Sequence, residues 1–579
     1  MRYFFLFGLV VGFVCSSFAQ APSVVDRVAK QNALFDEFYE TQLKDFPELA
    51  TAWGDYRYNS QLGQYSLAEI ARRHKQSDDF LARLKAIPTD GMDDKDLLSH
   101  RILQHQIERD DVNYALKNYE MPVNQQNGVH TRLADLPNAV PFDSVPHYQD
   151  YISRLHQIPR VLEQTTEVMK HGEKDSLMPP KFLLEKLAGQ CDGVIAANPF
   201  LEPTKKFPKE FSDDDKKRLT DEITKAINDD VLPAYKKFAD FLRTEYAPKG
   251  RSVLSIESLA DGKRRYAEAV KTMTTTNVPP AEVHEIGLKE VARVTDEMTK
   301  LAQNNGYKDL ASFREAINTD PKWKPTSEQQ ILDDYKKYIH QMEPKLPELF
   351  GLLPKSPVTV EPIPDFAKAA ATHYVQGTPD GKRPGRVVVA VSDPTKRSLV
   401  DDEAIAYHEG VPGHHLQISI AQTLEGLPKF RLHGFYPAYA EGWALYSEEL
   451  GKEIGFYKDP VSDYGRLKSE MLRAVRLVVD TGIHDKNWSR EKVVDYMHAN
   501  DLNDAMVQTE ADRYIAWPGQ ALAYKMGQLT ILKLRDEAKA QLGDKFDIKK
   551  FHDEILNGGA MPLDLLQQRV EAWIKEQKK

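Results

Sequence analysis

The segment Tyr407-His408-Glu409-Gly410-Val411-Pro412-Gly413-His414-His415-Leu416-Gln417 concentrates three imidazoles and a carboxylate that no continuous helix can use together. Residues four apart share a helix face, but the position four on from His408 is Pro412. On an ideal helix His414 points about 120° away from His408, and His415, better aligned, lies ~10.5 Å further along the axis. Pro412 lacks an N–H for the carbonyl of His408, and its ring clashes there. Gly413 beside it accepts backbone angles closed to other residues. A helix that bulges between His408 and His414 is therefore expected, because interrupted helices at functional sites loop out residues in this way.

Two neutral imidazoles and a carboxylate, with a fourth position left for water, are the donor set of catalytic zinc in hydrolases. Glu409, next to His408, is placed to take a proton from that water. The third donor is expected from Glu441, in a segment that reads as a helix entered through Pro437. Glu441, Leu445 and Glu448 share one face of it, and Glu448 is the fallback ligand. An acidic residue in a first turn also suits the helix dipole, so helix-start chemistry is the plain alternative for Glu441. Likewise His414-His415 could be a capping or core-satisfying pair. A second His-Glu pair, His284-Glu285, has no partner histidine and is expected on a solvated helix edge.

The motif is similar to that of the helical metallopeptidases. Thimet oligopeptidase, angiotensin-converting enzyme and carboxypeptidase Taq read His-Glu-x-Gly-His, and dipeptidyl peptidase III reads His-Glu-x-x-Gly-His; the stretch from His408 to His414 looks like the same motif with a further insertion before Gly-His. The resemblance implies His408, His414 and Glu441 as ligands of Zn2+, with His415 an outer or substrate-contacting group; His415 stays the alternative to His414 as the second imidazole. It also implies a downstream donor to the tetrahedral oxyanion, for which His484, Tyr514 and Tyr524 are candidates. Arg476, Arg513 and Lys525 are candidates to bind a substrate carboxylate, for which Arg offers a bidentate fork; structural ion pairs are the alternative, above all for Arg473 and Arg476. Nearly end to end, the chain resembles the bacterial family known as domain of unknown function 885. The matching stretches are 46–55, 278–288, the His408 motif, 441–446, 473–484 and 513–527. That resemblance implies a large, mainly α fold with a metallopeptidase-like centre, and leaves the substrate open.

Arg2, the apolar run 3–14 and small residues at Ser17 and Ala19 make a secretory signal peptide over 1–19, cut after Ala19. The run is shorter than the roughly 20 residues that span a bilayer. Val14 stands before Cys15 where lipid attachment calls for a small residue, which disfavours a lipoprotein. A periplasmic or secreted chain with no membrane span is expected. Cys191 is then the one cysteine left, so no intramolecular disulfide can form, and it is expected as buried filler. With 87 acidic and 77 basic residues, net −10, the chain is a poor partner for nucleic acid, whose binding depends on Lys and Arg.

Helical periods dominate, as in Val283, Ile286, Val291, Val294, Met298 and Leu301. The expected fold is mainly α and two-lobed around a deep cleft, with a small β-sheet near the active site. A helical lobe would cover 20–360 and a C-terminal metal-binding lobe 361–579, the two intermixed. One β-branched run, 386–392, reads as a strand. It is either an edge that pairs with a substrate backbone or a buried strand. The expected function is zinc-dependent hydrolysis of peptides or oligopeptides by a monomer or homodimer. Rivals are a zinc amidase on cell-wall peptides or small amides, and a non-catalytic peptide-binding protein. Glu409 argues against the last, since binding needs no general base.

Overall fold

A computed structural model describes residues 22–363, 371–378, 381 and 383–579. The expected signal peptide, with Cys15 and Ala19, lies outside them. The described chain is mainly α-helical with one three-stranded mixed sheet. Several helices begin at Ser or Asp residues (Ser23, Asp93, Ser212, Ser327, Ser489) whose side chains accept the backbone N–H three residues on, satisfying donors that the helix leaves free. The largest apolar core runs from Leu34 to Ile574 and ties the N-terminal helices to the C-terminal part. A second runs from Leu62 to Ala247. It encloses Cys191, whose thiol burial pushes up to about 12.

The 283–301 period forms helix α1 (Pro280–Asn304), with Val283, Val294 and Met298 buried. The elements around the site follow: α2 (Asp402–Glu409), α3 (His414–Thr423), α4 (Pro437–Glu453), α5 (Pro460–His484), α6 (Asp504–Ala516) and α7 (Ala523–Leu542). Helix α1 crosses α5 at Gly287, where a Cβ would fall 2.7 Å from Leu477 Cβ and 3.0 Å from the Val478 nitrogen. That contact corrects the expectation for His284. Its face lies on α5, so the ring is buried, with Nδ1 2.7 Å from Thr481 Oγ1 and its edge toward Trp488.

Helix α5 is buried almost throughout. Charges on such a helix need partners, because an unpaired buried charge is costly. Arg466 meets Asp463 at 3.0 Å, Glu470 meets Lys525 at 2.6 Å, and Arg476 meets Glu510 at 2.8 Å. Asp480 accepts the Tyr266 hydroxyl at 2.7 Å, and burial raises its carboxyl to about 7.

Helices α4 and α7 touch backbone to backbone. A Cβ on Gly527 would lie 1.9 Å from the Ala438 carbonyl oxygen, and one on Gly442 would lie 2.4 Å from Gly527 Cα. Glycine at both places is what lets α4 sit at this depth. Strands β1 (Val358–Pro362), β2 (His373–Val375) and β3 (Gly385–Val389) lie in the order β1-β3-β2, β1 parallel and β2 antiparallel to β3. The strand read from 386–392 is thus central among the described residues rather than an edge, and Val387 and Val389 are fully buried. No helix among the described residues is long and apolar enough to cross a membrane.

Candidate metal centre

Between His408 and His414 the chain breaks where a bulge was expected. Helix α2 ends at Glu409, 410–413 make a turn, and α3 begins at His414. Three of the four turn residues are Gly or Pro, which disfavour helix too strongly for a bulge to persist. The Val411–Pro412 peptide bond is cis. Gly413 has φ −80 and ψ −129. Space also calls for glycine there: a Cβ would lie 1.9 Å from the His408 carbonyl oxygen and 2.4 Å from that of Tyr407. Trp443 of α4 holds the turn, donating its indole N–H to the Pro412 carbonyl at 2.9 Å.

Folding back in this way brings His414 beside His408, their rings 4.9 Å apart and at 88°. Glu441 reaches both, with Oε2 3.6 Å from His408 Nε2 and 3.3 Å from His414 Nε2. Glu441 is the fifth residue of α4 and no acidic residue lies in the first turn, so helix-start chemistry does not account for it. Nitrogen and oxygen ligands at about 2.0–2.2 Å from a tetrahedral ion stand about 3.3 Å from one another. The donor types and separations fit a zinc-like ion, and these three residues could hold one.

The surroundings tune the donors. Glu448, one of the buried residues of α4, accepts from His408 Nδ1 at 2.8 Å, the outer carboxylate contact that orients metal-binding histidines. Without a metal, burial acts to lower the His408 pKa, but bonds to Glu441 and Glu448 outweigh it and pull it up to about 9. Burial likewise opposes the charge of Glu441, yet His408 and His414 hold its carboxyl well below the usual range. His414 Nδ1 has no protein partner.

Glu409 lines a cavity of about 750 Å³ together with His408, His414 and Glu441. The other sequence candidates divide. Tyr524, Arg476 and Arg513 line the same cavity, as does Arg473. His415 is turned toward the sheet, with Nδ1 3.1 Å from the Tyr374 hydroxyl and Nε2 3.0 Å from the Ser356 carbonyl; burial lowers its pKa to about 4. His484 is buried between the Ile256 N–H and the Tyr514 carbonyl, burial lowering its pKa to about 3. The Tyr514 hydroxyl donates to Glu510. Lys525 is fully enclosed against Glu470, Glu290 and Gln528, at 2.6, 2.9 and 2.7 Å. The geometry thus places His415, His484, Tyr514 and Lys525 in structural contacts and not among the cavity's lining residues.

Sequence reasoning missed Glu510, which binds Arg476 and Arg513, and Tyr374, at the cavity wall. Neither carries a local signal, since each acquires its place through tertiary packing. Glu448 was legible as the same-face neighbour of Glu441, though as a substitute ligand and not as the partner of His408.

Among solved structures, one reported as a "putative lipoprotein" from Colwellia psychrerythraea is 29% identical, with TM-score 0.90, covering 95% of this chain and 100% of that one. Another, a "putative lipoprotein of unknown function" from Shewanella oneidensis, is 18% identical with TM-score 0.70, covering 95% and 99%. A "putative oligoendopeptidase F" from Bacillus anthracis aligns at 13% identity and TM-score 0.28, covering 92% and 100%, too weak a likeness to bear on fold or activity. No curated protein matches the chain. The family model described as bacterial protein of unknown function (DUF885) matches residues 47–570, and the chain belongs to that family.

Proposed function

We propose that the protein is a zinc-dependent metallopeptidase that hydrolyses peptides or oligopeptides. The observation that carries this is the convergence of two imidazole nitrogens on one carboxylate oxygen, at 3.6 and 3.3 Å and all within 4.8 Å of one another, beside Glu409 and open to one cavity. Zinc held by His408, His414 and Glu441 would supply Lewis-acid polarisation of the scissile carbonyl and a more acidic water. Glu409 takes a proton from the attacking water and returns it to the leaving amine. The C–N bond opens, the water oxygen joins the acyl carbon, and one water is consumed per bond. Of the three expected oxyanion donors, Tyr524 is the one on the cavity wall, and its phenol is the group offered to the developing charge.

Metal chemistry is assigned to 361–579 and helical cover to 20–360. Because the larger core is shared between them, neither part is expected to fold alone. Export with cleavage after Ala19 completes the proposal; lipidation at Cys15, in line with the names of the two solved relatives, is its rival. The test is Glu409→Gln against wild type on a peptide library. The variant keeps zinc and loses turnover, whereas His408→Ala loses both. Normal hydrolysis by Glu409→Gln defeats the proposal.

A further inference from the structure

The cavity holds more positive charge than its packing needs. Around the ring of Tyr524 stand three guanidinium groups, those of Arg476, Arg473 and Arg513, at 4.6, 5.8 and 6.0 Å from its centroid. One carboxylate, Glu510, pairs with two of them, at 2.8 Å from Arg476 and 3.1 Å from Arg513. Among the described residues Arg473 has only Ser469 of its own helix and a 3.8 Å approach to Glu448, which already serves His408. Arg476 Nη1 and Arg473 Nε are buried without a hydrogen-bond partner. Three guanidinium groups sharing one carboxylate, with two of their nitrogens unmet among the described residues, suit an added anion.

We propose that Arg473, Arg476 and Arg513 form a carboxylate-binding subsite, and that the protein removes one or two residues from the free C-terminus of short peptides. This rests on the metallopeptidase reading and adds its substrate class. The cluster's place beside the metal ligands keeps the number small. Arg473 Nη2 is 3.8 Å from Glu448 Oε1, which is 2.8 Å from His408 Nδ1, so the cluster adjoins the metal ligands. An extended residue spans about 3.3–3.6 Å. A carboxylate on the arginines therefore sits within a short stretch of extended chain from the bond beside Glu409. A planar guanidinium fork suits a terminal carboxylate, and a neutral C-terminal amide cannot supply the missing charge.

The test uses N-acetylated tetrapeptides, each as the free acid and as the C-terminal amide. Zinc-loaded wild type is assayed for kcat/KM and products by mass spectrometry. Glu409→Gln is titrated calorimetrically with the same pairs. The acid is expected to exceed the amide by roughly 30-fold or more, the scale of losing one side of a buried charge pair, and to release one or two C-terminal residues. Arg473→Gln should narrow that gap through KM and Arg473→Lys should restore part of it. The variants leave both Glu510 pairs intact, and thermal melting confirms that they fold. Equal cleavage of acid and amide, or cuts at internal bonds only, overturns the subsite and leaves the peptidase standing. If neither form is cleaved, the peptidase reading fails. Binding to Glu409→Gln then decides the subsite: acid preference upholds it and indifference overturns it.

Discussion

Replacing Glu448 by Gln probes how His408 is held. Glu448 is 1% exposed and accepts from His408 Nδ1 at 2.8 Å. Gln keeps the size and one carbonyl acceptor but removes the charge. A hydrogen bond to a charged group contributes ~1.5–3 kcal/mol and a neutral one ~0.5–1.5. The exchange should cost the zinc complex on the order of 1–2 kcal/mol, about 5- to 30-fold in affinity. That overlaps the ~10–100-fold typical of outer partners of metal-binding histidines. An opposing effect comes from the proton that zinc must displace. In the metal-free protein the His408 pKa is about 9, burial lowering it while Glu441 and Glu448 raise it more. Gln loosens that proton, so part of the loss is masked at pH 7 and the whole of it shows above pH 9. The assay is competition for chelator-buffered zinc at both pH values, with circular dichroism to confirm the fold. Affinity equal to wild type above pH 9 would refute the role given to Glu448.

Gly527→Ala forces a methyl group to within 1.9 Å of the Ala438 carbonyl. Overpacking of this kind costs ~1–3 kcal/mol, and a shifted α4 carries Glu441 with it, so both melting temperature and zinc affinity should fall; an unchanged melt would show that α4 and α7 are not in backbone contact. Asp480→Asn should show a pH signature. The folded pKa of Asp480 is raised from 3.8 to about 7 by burial, so its contribution is fully present below 3.8 and lost as pH rises to 7. The variant has no such loss, so its melting temperature minus that of wild type should climb between pH 4 and 7 and then level off. A difference independent of pH contradicts the shift.

The helical character of the chain was legible because burial leaves a period in the sequence, as in α1. That His408, His414 and Glu441 would come together was legible because metal chemistry dictates residue types and the motif keeps them within short reach. The manner of their meeting was not. Gly413 was read for its freedom of angle; the structure needs its missing side chain as well, a property of two segments and invisible in one. His284 was misplaced for the same reason, since its partner Thr481 lies 197 residues away. Strands β1 and β2 left no readable pattern: β1 ends in Pro362 inside a Pro-rich stretch, and β2 is three residues long. Lys525 and His484 have the chemistry of site residues, but their surroundings turn them to structural use, which only the packing of α5 reveals.

The central claim is that His408, His414 and Glu441 hold one metal ion while His415 does not, and elemental analysis of the purified protein after zinc loading tests it most directly. Wild type and His415→Ala should carry about one zinc per chain, with His414→Ala close to none, each variant checked for its fold. Zinc retained by His414→Ala and lost from His415→Ala, or none bound by wild type, would contradict the account.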